Sequence, residues 1–248
     1  MKRIFTLLLL LSISYTASSL NLKVGVQSNS PPFSMQVSQN NMFSGFEPDL
    51  MSEICKRLPA NCTYQPVAFE DFFTQVYDKN IDLGIGQISI TVHRQENFLF
   101  SMPYLLSPGQ IITLKKSSIK TINDLQSKTI GFISHSFYKN FLLDQFNNQI
   151  KTHDYANIDN AFNGLKMGEV DALLLAKVEE DYWITGNGNS SQFRIIGSPV
   201  YLGYGYGIMT NQQQNKLINQ INQILKEMEN DGSYLKIYNL YFGGIKEL

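Results

Sequence analysis

The chain has 248 residues, of which 43% are hydrophobic and 17% are charged, and its 20 basic and 21 acidic residues give a formal net charge of −1. This composition is typical of a folded globular protein of one or two domains, because a disordered chain has fewer apolar residues and a larger charge imbalance. A balance this close to neutral argues against a nucleic-acid-binding protein, which needs basic residues to neutralise phosphates.

The first 19 residues predict a cleaved secretory signal peptide. Lys2 and Arg3 precede an apolar run over 4–11, and small residues follow at 16–19. This order is typical of export signals, whereas a membrane span needs about 20 apolar residues. A buried first helix is the alternative. We therefore expect a mature protein that is soluble and exported.

The chain has two cysteines, Cys55 and Cys62, seven residues apart. Export favours a disulfide between them, with two free thiols as the alternative. Because the loop that it would close is short, such a bond contributes about 2–3 kcal/mol at most. We expect no metal site, since the three histidines are scattered and show no ligand spacing.

The predicted elements alternate between strands and helices, which favours an α/β fold with right-handed crossovers. Apolar residues recur at helical spacing over 46–58, with Pro48 and Asp49 in the first turn. The predicted strands cover 22–27, 63–68, 81–88, 111–114, 129–133, 171–175 and 206–209. The predicted helices cover 46–58, 69–77, 136–146, 157–167, 177–184, 214–229 and 234–241.

Several short segments, in a fixed order, carry a resemblance to one family. They are Pro-Phe at 32–33, Gly-Phe-Glu-Pro-Asp-Leu at 45–50, Ile-Asp-Leu at 81–83, Ile-Ser-Ile-Thr-Val-His-Arg at 88–94, Phe-Ser-Met-Pro-Tyr at 100–104, Gly-Glu-Val-Asp-Ala at 168–172, Asp-Gly-Ser-Tyr at 231–234 and Tyr-Phe at 241–242. Together they resemble the periplasmic solute-binding proteins of polar amino acid ABC transporters, family 3. Within that family the chain is most similar to the lysine/arginine/ornithine-binding and glutamine-binding group.

The resemblance implies a type II periplasmic binding protein fold, with two α/β lobes joined by a two-strand hinge and a ligand cleft between them. Lobe one would take residues 20–105 and 202–248, and lobe two residues 108–198, with hinges near 105–109 and 199–204. The implied function is capture of a polar amino acid or amino-acid-like solute for an ABC permease in the inner membrane. Such a protein is expected to be a monomer without catalytic activity or cofactor.

Arg94 stands at the family's carboxylate-binding position, and the resemblance implies that it anchors the ligand. A planar guanidinium binds a carboxylate through two hydrogen bonds, which a lysine cannot do. Ser89 and Thr91 would add hydroxyl and backbone donors, and Gln87 precedes them in the same segment. From its residue type alone, Arg94 also fits a solvated residue at a helix start.

The resemblance implies that Phe69 flanks the ligand's side chain, although a core phenylalanine is the alternative. The family sets a second aromatic ring opposite it, and here that position is Ser30. Phe137, Tyr204 or Tyr206 could supply the missing ring. From lobe two, Ser136 would offer a hydroxyl at a helix start.

The ammonium-binding positions of the family are changed in this chain. Ala176 stands where relatives place an aspartate, and Gln27 stands where an acid would meet a basic side chain. These changes argue against lysine, ornithine or arginine bound in the usual manner, because a buried unpaired ammonium is costly. Three alternatives remain: Glu179 reaches the ligand, Glu47 faces the cleft, or the ligand has no ammonium. Glu179 also fits an exposed acidic helix face.

A second function remains open on the same fold. Periplasmic cyclohexadienyl dehydratases, which act on prephenate or arogenate, resemble binding proteins that have lost amine recognition. In that alternative Glu179 would be the general acid, with a pKa raised by an apolar pocket. A sensory or adhesive role for the same cleft is a third alternative, which the sequence does not distinguish from transport.

Overall fold

The computed structural model describes residues 20–106, 108–134, 136, 138–186 and 191–243. The predicted signal peptide (residues 1–19) and Phe137 lie outside the described residues. The strands are β1 (Leu20–Val26), β2 (Asn29–Ser30), β3 (Ser34–Ser38), β4 (Met42–Ser44), β5 (Ala60–Pro66), β6 (Leu83–Ile85), β7 (Phe98–Phe100), β8 (Gly109–Leu114), β9 (Thr129–Ile133), β10 (Lys151–Tyr155), β11 (Ala172–Ala176), β12 (Phe193–Val200) and β13 (Met209–Asn211).

The α-helices are α1 (Phe46–Arg57), α2 (Phe72–Tyr77), α3 (Val92–Gln95), α4 (Tyr138–Gln145), α5 (Ile158–Met167), α6 (Lys177–Gly186), α7 (Asn215–Asn230) and α8 (Ser233–Phe242). Two short 3-10 helices cover Phe69–Asp71 and Ile122–Leu125.

Lobe one is built on a five-stranded sheet in the order β5-β1-β6-β13-β7, with α1, α2, α3, α7 and α8 around it. β1 pairs in parallel with β5 and β6, while β13 runs antiparallel to β6 and β7. Leu22, Val24 and Val26 of β1 are buried, and they pack in one cluster with Leu50 of α1 and Ile221 of α7. The apolar faces of α1 and α7 therefore cover β1.

Lobe two is built on a second five-stranded sheet in the order β10-β9-β11-β8-β12, with α4, α5 and α6 around it. β9 pairs in parallel with β10 and β11, and β8 pairs antiparallel with β11 and β12. Every residue of β11 is buried, as expected for a central strand covered on both faces. The carboxyl end of β11 leads directly into α6.

The lobes meet where the chain crosses between the sheets. Leu105 forms an isolated bridge with Tyr206, and Gly109 pairs with Val200. Ala176, at the end of β11, is buried in the same cluster as Tyr104, Leu105 and Tyr206. The start of α6 in lobe two therefore packs against lobe one. The residue limits of the lobes and hinges stay a prediction.

The α/β class and the two-lobe fold are confirmed. The last predicted strand, at 206–209, is shifted, because Tyr206 forms only isolated bridges and β13 begins at Met209. The small sheet β2-β3-β4 was not predicted. Cys55 and Cys62 are joined by a disulfide between the last turn of α1 and β5, which confirms that prediction. Within the described residues, no helix is both long and apolar enough to cross a membrane.

Candidate functional site

A cavity of about 170 Å³ lies between the two lobes. This is roughly ten times the space that one buried water requires, so it can hold a small organic molecule. Lobe one contributes Gln27, Asn29, Ser30, Pro31, Phe69, Glu70, Gln87, Ser89, Arg94 and Tyr206 to its wall. Lobe two contributes Ile133, Ser134, Ser136, Tyr138, Ala156, Asn157, Ile158, Asp159, Ala176, Glu179 and Trp183.

Arg94 lies on the one-turn helix α3 and presents its guanidinium to the cavity. Thr91 caps this helix, its hydroxyl oxygen accepting a hydrogen bond from the Arg94 backbone N–H at 3.2 Å. Nη1 of Arg94 donates to the Ser89 carbonyl at 2.9 Å, and no carboxylate of the described chain pairs with the guanidinium. Burial lowers the pKa of Arg94 to about 10, so it stays charged at neutral pH. The remaining N–H groups are available to an anionic ligand group.

Aromatic rings fix the plane of the Arg94 guanidinium. Its Cζ atom lies 4.9 Å from the ring centroid of Phe73 and 5.7 Å from that of Phe69. Such cation–π contacts stabilise a desolvated guanidinium. Phe69 packs against the core with Phe72 and Phe73 and also lines the cavity, so its position is compatible with both interpretations.

Lobe two supplies two aromatic residues that the sequence analysis did not single out. Tyr138 begins α4, and Trp183 lies on α6, with its ring stacked on Phe162 at 5.9 Å between centroids. Trp183 follows Glu179 by four residues, and side chains at this spacing share one face of a helix. The same spacing rule, applied to Glu179, could have identified Trp183 from the sequence. Of the rings proposed to replace the one missing at Ser30, Tyr206 lines the cavity, whereas Tyr204 is 58% exposed and lies off its wall.

Three neutral polar groups on the cavity wall have no hydrogen-bond partner among the described residues. They are Nε2 of Gln87, Oγ of Ser136 and Nε1 of Trp183. The amide oxygen of Gln87, in contrast, accepts a hydrogen bond from the Ser30 hydroxyl at 2.9 Å. Buried polar atoms are normally paired, and an unpaired one is costly. Both lobes therefore contribute an unpaired donor from a residue of the cavity wall.

The cavity wall carries more carboxylates than cations. Glu70 and Asp159 are exposed at its rim, and Glu179 lies deeper, in the first turn of α6. Arg94 is the single lysine or arginine among the described wall residues. Burial, together with the nearby charge of Glu47, raises the pKa of Glu179 to about 7. Glu179 is partly buried, and Glu180 and Asp181, which follow it, are buried, so the interpretation of Glu179 as part of an exposed acidic helix face is wrong.

Glu47 lies behind the cavity wall instead of on it, which corrects the expectation that it faces the cleft. Its side chain is fully buried, and its Oε1 atom accepts hydrogen bonds from the Tyr104 hydroxyl at 2.6 Å and from the Gln87 backbone N–H at 2.8 Å. Gln87 has a φ of 53°, which a residue with a side chain rarely adopts. Glu47 thus holds Gln87 in the conformation that lines the cavity.

The structure brings most of the predicted site residues together. On the cavity wall are Gln27, Ser30, Phe69, Gln87, Ser89, Arg94, Ser136 and Glu179. Thr91 is off the wall, because its hydroxyl caps α3. Phe137 lies outside the described residues. The described part of the chain contains no group of three or more histidine, cysteine, aspartate or glutamate residues that could hold a metal ion.

Comparison with known proteins covers nearly the whole chain. The sequence profile of the bacterial extracellular solute-binding proteins, family 3, matches residues 22–244. The ABC transporter arginine-binding protein 1 of Escherichia coli K12 is 30% identical over 244 residues, which cover 98% of this chain and 99% of that protein. The lysine/arginine/ornithine-binding periplasmic protein of the same strain is 29% identical over 252 residues, covering 97% and 96% of the two chains.

A solved structure gives the same result for the fold. The crystal structure of an arginine transport system periplasmic binding protein from Legionella pneumophila superposes with a TM-score of 0.82 at 38% identity. The match covers 90% of this chain and 100% of that one. These relatives are solute-binding proteins, so the comparisons give no support to the dehydratase alternative.

Proposed function

We propose that this chain, which belongs to the bacterial extracellular solute-binding proteins of family 3, captures a cationic amino acid, foremost L-arginine, for uptake by an ABC transporter. The observation that carries the proposal is the environment of Arg94. Its guanidinium has no carboxylate partner in the described chain and packs against the rings of Phe69 and Phe73, and the residue lines the cavity between the lobes. An α-carboxylate is the group that best complements it.

The charge of the cavity wall supports a cationic ligand. Glu70, Asp159 and Glu179 outnumber Arg94 on the described wall, so a solute with one carboxylate and two cationic groups balances the wall better than a neutral amino acid does. The expectation against arginine depended on Gln27 and Ala176. These other carboxylates supply negative charge that those two positions lack. The names of the relatives, which include two arginine-binding proteins, point the same way.

The partner and the location are part of the proposal. The family consists of extracellular solute-binding proteins, which supports a periplasmic location reached through the signal peptide predicted at residues 1–19. A permease in the inner membrane would then accept the ligand from a monomeric binding protein.

The first test is ligand-dependent thermal stability of the mature protein. A ligand that binds only the folded state raises the free energy of unfolding by RT ln(1 + [L]/Kd), which is about 2.7 kcal/mol at one hundred times Kd. We expect L-arginine to raise the melting temperature more than L-lysine, and L-lysine more than L-glutamine or L-glutamate. If none of these four raises it, the proposed function is wrong.

Substitutions at Arg94 test the anchor. Arg94→Ala should abolish the shift with L-arginine, and Arg94→Lys should weaken binding about tenfold or more, because lysine keeps the charge but loses the paired hydrogen bonds. Arg194→Lys is the matched control, since Arg194 donates to the carbonyls of Lys115 and Ile119 and is absent from the cavity wall. Unchanged affinity in Arg94→Ala would contradict the assignment of the anchor.

A further inference from the structure

Two carboxyl groups, one from each lobe, interact through their charges: Glu47 is fully buried behind the cavity wall, and Glu179 is partly buried on it. Glu47 lies in the first turn of α1 in lobe one, and Glu179 lies in the first turn of α6 in lobe two. On either side of Glu179, Ala176 and Val178 pack into the core of lobe one. This packing brings Glu179 close enough to Glu47 for the two charges to interact.

The described chain supplies neither carboxyl group with a cation. The Oε2 atom of Glu47 is buried and has no partner, while Oε1 carries both of its hydrogen bonds. The titratable groups that face the pair are Tyr104, against Glu47, and Tyr138, against Glu179. Both tyrosines have raised pKa values because they are buried, so they stay neutral at physiological pH.

The two basic groups next to Glu179 in sequence or on the cavity wall have other partners. Lys177, on the same helix as Glu179, pairs with Asp181 at 2.6 Å. Arg94 donates to the carbonyl of Ser89. Neither of them forms an ion pair with Glu47 or Glu179 in the described chain.

Two carboxyl groups that are close together and desolvated do not both ionise easily. Burial is the largest cause that raises the pKa of each group to about 7. Since Oε1 of Glu47 accepts two hydrogen bonds, Oε2 is the atom that remains to carry a proton. Near neutral pH the pair therefore holds about one proton and one negative charge.

We propose that Glu179, backed by Glu47, is the subsite for a cationic group of the ligand, and that the cation enters in exchange for the shared proton. The inference rests on the proposed function, which supplies a ligand with an ammonium or guanidinium. Before binding, the pair holds one proton. After binding, Glu179 faces the ligand cation with the ionised Glu47 behind it, and the proton has passed to the solvent, so the net charge of the site is the same before and after binding.

Isothermal titration calorimetry with L-arginine tests the exchange. Titrations near pH 7 in phosphate and in Tris, whose ionisation enthalpies differ, measure the protons released. We expect release of a substantial fraction of one proton per L-arginine. Below about pH 6 the affinity should fall by up to tenfold per pH unit, because binding then requires removal of a proton.

Three variants locate the exchange. Glu179→Gln should weaken L-arginine binding about tenfold or more and remove the dependence of the heat on the buffer. Glu47→Gln keeps an acceptor for Tyr104 and Gln87, and it should reduce proton release more than it reduces affinity. Glu180→Gln is the matched control, because Glu180 is the next residue, fully buried, and absent from the cavity wall. It should keep both affinity and proton release.

The outcomes separate this inference from the proposed function. Binding of L-arginine with equal heats in both buffers, or proton release that persists in Glu179→Gln, overturns the proton exchange and leaves the proposed function intact. If the wild-type protein binds neither L-arginine nor L-lysine, both are wrong. If Glu47→Gln does not fold, the wild-type pH series and Glu179→Gln decide the matter alone.

Discussion

Trp183 is the single tryptophan of the chain and lies on the wall of the cavity. Its ring is stacked on Phe162, and its Nε1 atom is buried without a partner in the described chain. A ligand that enters the cavity changes the surroundings of this ring. We therefore expect a saturable change in tryptophan emission when L-arginine is added to the mature protein.

The control for this fluorescence change is Arg94→Ala, which keeps the tryptophan but should lose the response. Tyr182→Phe, next to Trp183 and absent from the cavity wall, should respond as the wild type does. Emission that stays constant while the melting temperature rises with L-arginine would show that the ligand does not reach Trp183.

At the scale of single residues, the sequence identified the wall of lobe one better than that of lobe two. Arg94, Ser89 and Gln87 belong to one short segment, so one resemblance places all three. Trp183 belongs to a helix of mixed polar and apolar residues and has no motif of its own. The position of Glu47 depends on burial behind Gln87, which residue type and spacing do not reveal.

The Cys55–Cys62 disulfide joins α1 to β5, and Cys55 is buried. In the loop-entropy description, a bond that closes so short a loop stabilises the folded state by about 2–3 kcal/mol. The double variant Cys55→Ser/Cys62→Ser should lose about this much in a urea unfolding experiment. It should still bind L-arginine, because neither cysteine lines the cavity.

Reduction of the wild-type protein is the control for the disulfide. Under a reducing agent its midpoint of urea unfolding should move towards that of the double variant, whose own midpoint should not change. If the midpoint of the wild type is the same with and without reducing agent, the bond does not contribute to stability.

At the scale of elements, strong periodicity predicted what the structure contains. The helix predicted over 46–58 is α1, and the strand predicted over 129–133 is β9. Weaker elements were missed for physical reasons: β10 (Lys-Thr-His-Asp-Tyr) is a polar edge strand, and β2 to β4 form a short sheet with mostly exposed side chains. The glycine and proline of β12 resemble a connection more than a strand.

At the scale of the whole molecule, the two-lobe fold followed from the resemblance and not from composition. Glu47 and Glu179 lie far apart in sequence and on different lobes, and their charges interact because Ala176 and Val178 pack into lobe one. Local pattern contains no information on that contact. The contact has a consequence for global stability, because it leaves ionisable groups in the interior.

Three glutamates make the stability of the ligand-free protein depend on pH: Glu47 and Glu180 are buried, and Glu179 is partly buried. Burial raises the pKa values of Glu47, Glu179 and Glu180 from 4.5 to about 7. The folded state therefore binds protons more tightly than the unfolded state does. The resulting stabilisation is fully present below about pH 4.5 and is lost as the pH rises through about 7.

We expect the free energy of unfolding, measured by urea titration without ligand, to fall between about pH 5 and pH 7.5. Glu47 is fully buried. Its contribution to the free energy of unfolding should fall by on the order of 2–3 kcal/mol across this range. Glu47→Gln cannot ionise at this position, so its stability should change less across the same range. Exposed acidic groups such as Asp231, whose pKa is lowered to about 2 by Arg57 and Ser233, titrate below this window and do not mask the effect. Two results would contradict this: a free energy of unfolding that rises from pH 5 to pH 7.5, or one that falls with pH as steeply in Glu47→Gln as in the wild type. Either result would mean that Glu47 is ionised in the folded protein throughout this range.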